Sequence, residues 1–138
     1  MKLFPVTTVL AFAICAIAST AAAHHSFAMF DSAKKIDVKG TVKELQWTNP
    51  HVWLQMVAIE NGQPKVYDFE GGAVPVLKKF GWTKDSVKAG DVITLTAHPF
   101  KDGKAGGSID FVTLADGRKI GGGDGIPGAV VAGPKQTP

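Results

Sequence analysis

From Ile36 the chain alternates: Ile36, Val38, Gly40 and Val42 interleave with Asp37, Lys39, Thr41 and Lys43. A period of two marks a half-buried β-strand. The apolar parity then moves to Leu45 and Trp47 with no turn residue between. A parity change inside a continuing strand needs one extra residue, so the pattern predicts a long, bent first strand with a bulge near Lys43-Glu44. Gly40 eases its coiling. After the break at Thr48-Asn49-Pro50, a second strand is predicted from His51 to Glu60, with Val52, Leu54, Met56 and Ala58 on one face. Asn61-Gly62 is a strong two-residue hairpin signal. The third strand returns over Lys65–Glu70 with Tyr67 and Phe69 on one face.

The period then changes. Val74, Leu77 and Phe80 lie three apart in the stretch Ala73–Phe80, with Lys78 and Lys79 near its end and Gly81 just beyond. This predicts a short helix with a glycine C′ and with Pro75 in the first turn, where a missing N–H costs little. Asp85–Gly90 reads as a loop. Strand four is predicted at Val92–Ala97, with Ile93, Leu95 and Ala97 inward and Thr94, Thr96 and His98 outward. Lys101–Gly107 is a Gly/Lys loop, Ser108–Leu114 a fifth strand, and Asp116-Gly117 a turn into a short Arg118-Lys119-Ile120 end. Three strands, a helix and two strands, the first strand long and bent, is the order of the five-stranded OB-fold barrel. The fold class is thus all-β, an OB-like barrel over residues 24–120; another small barrel or a sandwich fragment is the competing expectation.

The ends carry no part of this pattern. Lys2 precedes an almost unbroken apolar run from Leu3 to Ile17, and Ala21 and Ala23 occupy the small positions of an A-x-A site. These are the parts of a secretory signal peptide, so residues 1–23 are expected to be removed and the protein to be periplasmic or secreted with no stable membrane anchor. Bulky Ile14 ahead of Cys15 fits lipoprotein processing poorly. Gly121–Pro138 is Gly- and Pro-rich and reads as a disordered tail.

At 138 residues one domain is expected. Cys15 is the single cysteine, so a processed chain has no disulfide, thiolate metal site or cysteine nucleophile. The formal charge is +3, of which Lys2 carries one; that is too small to point to nucleic acid. There is no P-loop, zincin or Gly-x-Ser-x-Gly motif. Glu44, Asp68 and Glu70 have no spacing that sets them apart as an acid–base pair, so a binding role ranks above an enzymatic one.

The histidines are the chemistry that stands out. Cleavage after Ala23 makes His24 and His25 the first two residues. A free α-amine titrates near about 7.7–8.0, where a divalent metal can displace its proton. The amine and Nδ1 of His24 close one chelate ring; alternatively the amine, the His25 amide nitrogen and the His25 imidazole chelate together. Nitrogen-rich, near-planar sites favour Cu(II). Cleavage one residue earlier would make His25 the third residue, another Cu(II)/Ni(II) arrangement. His51, at the start of strand two, and His98, beside Pro99, lie at strand ends off the core face and are candidates for further ligation. The competing roles are a solvated terminus for His24-His25 and backbone-bonded turn histidines for His51 and His98. Trp47, Trp53, Tyr67 and Phe69 are a candidate stacking face for a metal-free module that holds an oligosaccharide, peptide or protein of the cell envelope; core packing is their competing role.

The blocks His24-His25-Ser26-Phe27-Ala28-Met29-Phe30-Asp31, Gly40-Thr41-Val42, Trp47-Thr48-Asn49-Pro50-His51-Val52 and Ala89-Gly90-Asp91 resemble an exported bacterial family of unknown function, from His24 to about Ile120. The resemblance implies an exported domain and no particular activity. A mature N-terminal histidine also resembles the histidine brace of copper-dependent polysaccharide monooxygenases and of periplasmic copper carriers. His24 matches the terminal ligand, and His51 or His98 would supply the other imidazole. Those enzymes are larger, use a different β-sandwich and usually carry disulfides. These departures argue against oxygenase chemistry and leave simple copper binding open; carriage, buffering or sensing is the role expected of such a site.

Overall fold

The alternating segments pair as their pattern predicts. The computed structural model describes residues 25–122, with the backbone alone for His25 and Ser26. His24 and the predicted signal peptide lie outside the described residues, as does the predicted tail beyond Gly122. The elements are α1 (His25–Ala28), β1 (Ile36–Gln46), β2 (Trp53–Glu60), β3 (Gln63–Glu70), α2 (Val74–Lys79), β4 (Val92–Pro99), β5 (Gly106–Thr113) and β6 (Lys119–Gly121). The sheet order is β3-β2-β1-β4-β5-β6, and β3 also pairs with β5 in parallel. That last pairing closes β1–β5 into a mixed five-stranded barrel with one short helix between β3 and β4, the OB topology.

β1 serves two neighbours because it bends. Its first half pairs with β4, from Ile36↔Ala97 to Thr41↔Val92. Its second half pairs with β2, where the register passes from Val42↔Met56 to Glu44↔Gln55. Lys43 is the extra residue, the bulge that the parity change predicts. Gly40 sits at the tightest point of this coil, where a Cβ would run into the Val57 carbonyl.

Asn61 and Gly62 both take positive φ, 50° and 77°, as a type I′ hairpin requires. Pairing therefore continues to Glu60↔Gln63, and β3 starts two residues earlier than its pattern suggests. Pro64 is accommodated because β5 reaches only Asp68–Glu70 on that strand's other side.

The helix ends in a Schellman arrangement. Gly81 takes φ 88°, its N–H donates to the Lys78 carbonyl, and the Trp82 N–H donates to the Leu77 carbonyl. Phe80 is 41% exposed, contrary to the expected Val74/Leu77/Phe80 stripe, because the reversal at Gly81 turns Trp82 inward. Trp82 is fully buried with Leu77, and its Nε1 donates to the Gly121 carbonyl at 2.5 Å. β6 therefore belongs to the domain, and the fold runs past Ile120 to Gly122, whose N–H donates to the Asp110 carbonyl.

Val52, Leu54, Met56, Tyr67, Phe69, Leu95, Ile109 and Val112 fill the interior with Trp82 and Leu77 at one end. The β3–β5 seam has no spare room. Gly106, at φ 131°, lies against the Asp68 carbonyl and Gly107 against the His98 carbonyl, so closely that a Cβ on either would overlap the oxygen. Among the described residues no helix is long and apolar enough to cross a membrane.

Candidate functional site

The segment ahead of β1 is strapped across the outside of the barrel. Phe30 bridges to Phe100, their rings 5.0 Å apart. The Lys101 N–H donates to the Met29 carbonyl at 2.9 Å and the Asp31 N–H to the Pro99 carbonyl at 2.8 Å. Farther on, the Lys35 ammonium reaches the buried Asp110 carboxylate at 2.5 Å. Phe30 is buried, while Phe27 and Met29 remain exposed.

His98 lies beneath this strap. It sits on the outer face of β4, as the alternation predicts, and the strap leaves it 2% exposed. Its Nδ1–H donates to the Lys34 carbonyl at 2.8 Å. A carbonyl can only accept, so Nδ1 bears a proton and Nε2 is the ring nitrogen left over. That Nε2 is buried and has no hydrogen-bond partner among the described residues. Buried polar atoms rarely go without one.

His51 is held in the same sense from the other side. It lies just before β2, half-buried, with Nδ1 2.9 Å from Glu70 Oε1 and 3.3 Å from the Gly71 carbonyl. Both partners accept, so His51 also donates through Nδ1 and its Nε2 points away from them. The loop that positions it is fixed by Asn49, whose Oδ1 accepts the Val74 N–H at 3.0 Å and so caps α2. The Asn49–Pro50 peptide is cis.

The strand registers join these residues. Trp53 pairs with Glu70, Glu70 with Ser108, and Ser108 with His98. Paired residues point to the same side of a sheet, so Trp53, Glu70, Ser108 and His98 form one lateral band across β2, β3, β5 and β4. Glu70, Ser108 and His98 are all buried. Among the described residues, no three His, Asp or Glu side chains converge as a metal group would require. His24 lies outside the described residues, and of His25 only the backbone is described.

Tyr67 and Phe69 are not on the outer face. They stack with centroids 5.9 Å apart inside the barrel, where the odd-numbered positions of β3 point. Trp47 packs against the edge of the core. Trp53 alone of the four lines an outer cavity of ≈ 450 Å³, between β2 and β3 on one side and the β4–β5 loop on the other. Sequence reasoning missed two walls of that cavity, Met29 from the strap and Phe100 from the loop, because the strap's path over the barrel has no local signature. Glu44, Asp68 and Glu70 do not form an acid–base pair: Asp68 accepts from Gln55 Nε2 at 2.7 Å, Glu44 lies near Gln46, and Glu70 holds His51.

Two carboxylates beside the strap are tuned by near neighbours. A hydrogen bond from the Lys34 ammonium holds the Asp31 carboxyl below the usual range. The Lys104 backbone N–H, then its ammonium, do the same for Asp102 in the β4–β5 loop.

No curated protein and no solved structure gives a significant match to this chain. A family model described as Family of unknown function (DUF6152) matches residues 12–109. That stretch runs through the strap, β1, the His51 loop, α2, His98 and the first half of β5. The four blocks that carry the sequence resemblance all fall within the matched stretch, and on that match the chain belongs to this family of unknown function.

Proposed function

We propose that the protein is exported and binds a Cu(II) ion for carriage, buffering or sensing, through the mature N-terminal His24 and His25 together with His98 and His51. The observation that carries this reading is the buried, unpartnered Nε2 of His98 beneath the strap that descends from His25. Histidines that ligate metals usually donate their other ring N–H to a carbonyl or carboxylate, which fixes the tautomer and the ring. His98 does this with Lys34 and His51 with Glu70. An amine, imidazoles and an amide nitrogen are the donor set that favours Cu(II). The chain's own contribution would be to anchor each ring through Nδ1 and so hold its Nε2 in place.

The test is a Cu(II) titration of protein exported and processed by its own host, its N-terminus established by mass spectrometry. A control carries Gly-Ser-Gly ahead of His24, which moves both histidines beyond the third position and so removes every terminal chelate. The expected result is one-to-one binding that weakens at least about tenfold, roughly 1.4 kcal/mol, in the control and in His98→Asn. Equal binding in all three proteins, or no binding in any, overturns the reading.

A further inference from the structure

We propose that the cavity beside Trp53 binds the pyranose ring of a neutral saccharide, an inference that goes beyond the metal reading and does not depend on it. The cavity measures ≈ 450 Å³. Small-molecule sites span about 300–1,000 Å³, so it has room for one or two sugar rings. Its walls come from separate parts of the chain: Trp53 and Gln55 from β2, Asp68 from β3, Phe100 from the β4–β5 loop and Met29 from the strap. The Phe100 ring is braced by Phe30, and Lys101 N–H ties the loop to Met29. The aromatic wall therefore stands on fixed backbone.

The polar groups select the ligand class. Gln55 Nε2 donates to Asp68 Oδ1 at 2.7 Å, which leaves the Gln55 carbonyl and the second Asp68 oxygen for a ligand. At the rim the Asp102 carboxylate is 3.1 Å from the Lys104 ammonium. The Asp102–Lys104 pair cancels at the rim, and Asp68 leaves the lining with one net negative charge. A nucleic acid strand requires a cationic track, and two carboxylates against one ammonium do not supply it. A ligand bearing many hydroxyls, each both donor and acceptor, matches planar amide and carboxylate groups. Its C–H face matches the indole and phenyl walls. A pyranose ring has both properties.

The experiment titrates the metal-free full chain, with EDTA present, separately with cellobiose, maltose and N,N′-diacetylchitobiose, following the indole N–H resonances by NMR. The expected result is a saturable shift of the Trp53 signal in the millimolar range with at least one sugar, the Trp82 signal staying fixed. Trp53→Ala, followed through the backbone N–H resonances of Gln55 and Asp68, loses the saturable response, and Gln55→Ala, a milder change, weakens binding about tenfold. A Trp53 signal that moves with none of the three sugars overturns the proposal. So does equal affinity in Gln55→Ala, or saturable binding of a lysine tripeptide or an oligonucleotide in the sugar's place.

Discussion

The interior of the barrel and the band beneath the strap are equally dry and oppositely built. Leu54, Phe69, Leu95 and Val112 have no exposure on the inside; Glu70, Thr96, His98, Ser108 and Asp110 are nearly as inaccessible on the outside. The inner set gains by leaving water, at roughly 25 cal/mol per Å². The outer set must recover its lost hydration through specific partners. Asp110 does so with Lys35, Thr96 with Asp37 at 2.5 Å, and one nitrogen of His98 with Lys34. The remaining His98 nitrogen has no partner among the described residues. The difference teaches where function is to be sought: inside, burial explains each residue, and under the strap it does not.

The contrast can be broken from the inside first. Trp82→Ala removes the largest buried side chain and leaves the Gly121 carbonyl unpaired. It should cost about 3–5 kcal/mol, read from urea unfolding. In the band, Asp110→Ala should cost about 1–3 kcal/mol by the same measurement and increase proteolysis near Lys35, since it unfastens the strap without touching the core. Asn49→Ala deprives α2 of its cap and should cost about 1 kcal/mol, with loosening confined to the His51 loop in hydrogen exchange.

His98→Asn sharpens the comparison most. An amide can still donate to the Lys34 carbonyl, so the metal-free protein should lose less than about 1 kcal/mol. A ligand present at about a hundredfold over its dissociation constant adds roughly 2.7 kcal/mol to the stability of the native protein. The parent should gain that increment from Cu(II), and His98→Asn should not. A variant that gains as much as the parent would remove His98 from the metal reading.

The smallest effect is in acid. Asp31 and Asp102 titrate lower in the folded chain than in an unfolded one. Their contribution is complete above the ordinary carboxylate value of about 3.9 and is lost as the pH falls through the folded values. Unfolding midpoints should therefore be insensitive to these groups near neutrality and slope downward in acid. Asp31→Asn combined with Asp102→Asn should flatten that slope.

The barrel was legible because its information is local. The parity change at Lys43, the Asn61-Gly62 turn and the glycine after the helix each impose one backbone geometry, and together they specify the strand order. Phe80 misled because its spacing fits a helical stripe, whereas the Gly81 reversal gives the inner place to Trp82. The site was legible only as residue types. His51 and His98 stood out as polar residues at strand ends, but what buries His98 is a segment more than sixty positions earlier in the chain. Nothing near Trp53 announces that Met29 and Phe100 will wall its cavity. Tyr67 and Phe69 differ from Trp53 by which side of the pleat they occupy, which the alternation had already implied.

The β3–β5 seam carries a consequence for how this family can vary. At Gly106 and Gly107 a neighbouring carbonyl occupies the space of any Cβ. No side chain is small enough to enter, so neither position can drift by conservative steps. A saturation library should return glycine at both, while the exposed Ile59 near the hairpin tip accepts most residues. Because Gly107 abuts the carbonyl of His98 itself, the histidine's backbone is held against a wall that mutation cannot move. Divergence around the band must then proceed by changing what the strap brings to it, with the platform beneath left unaltered.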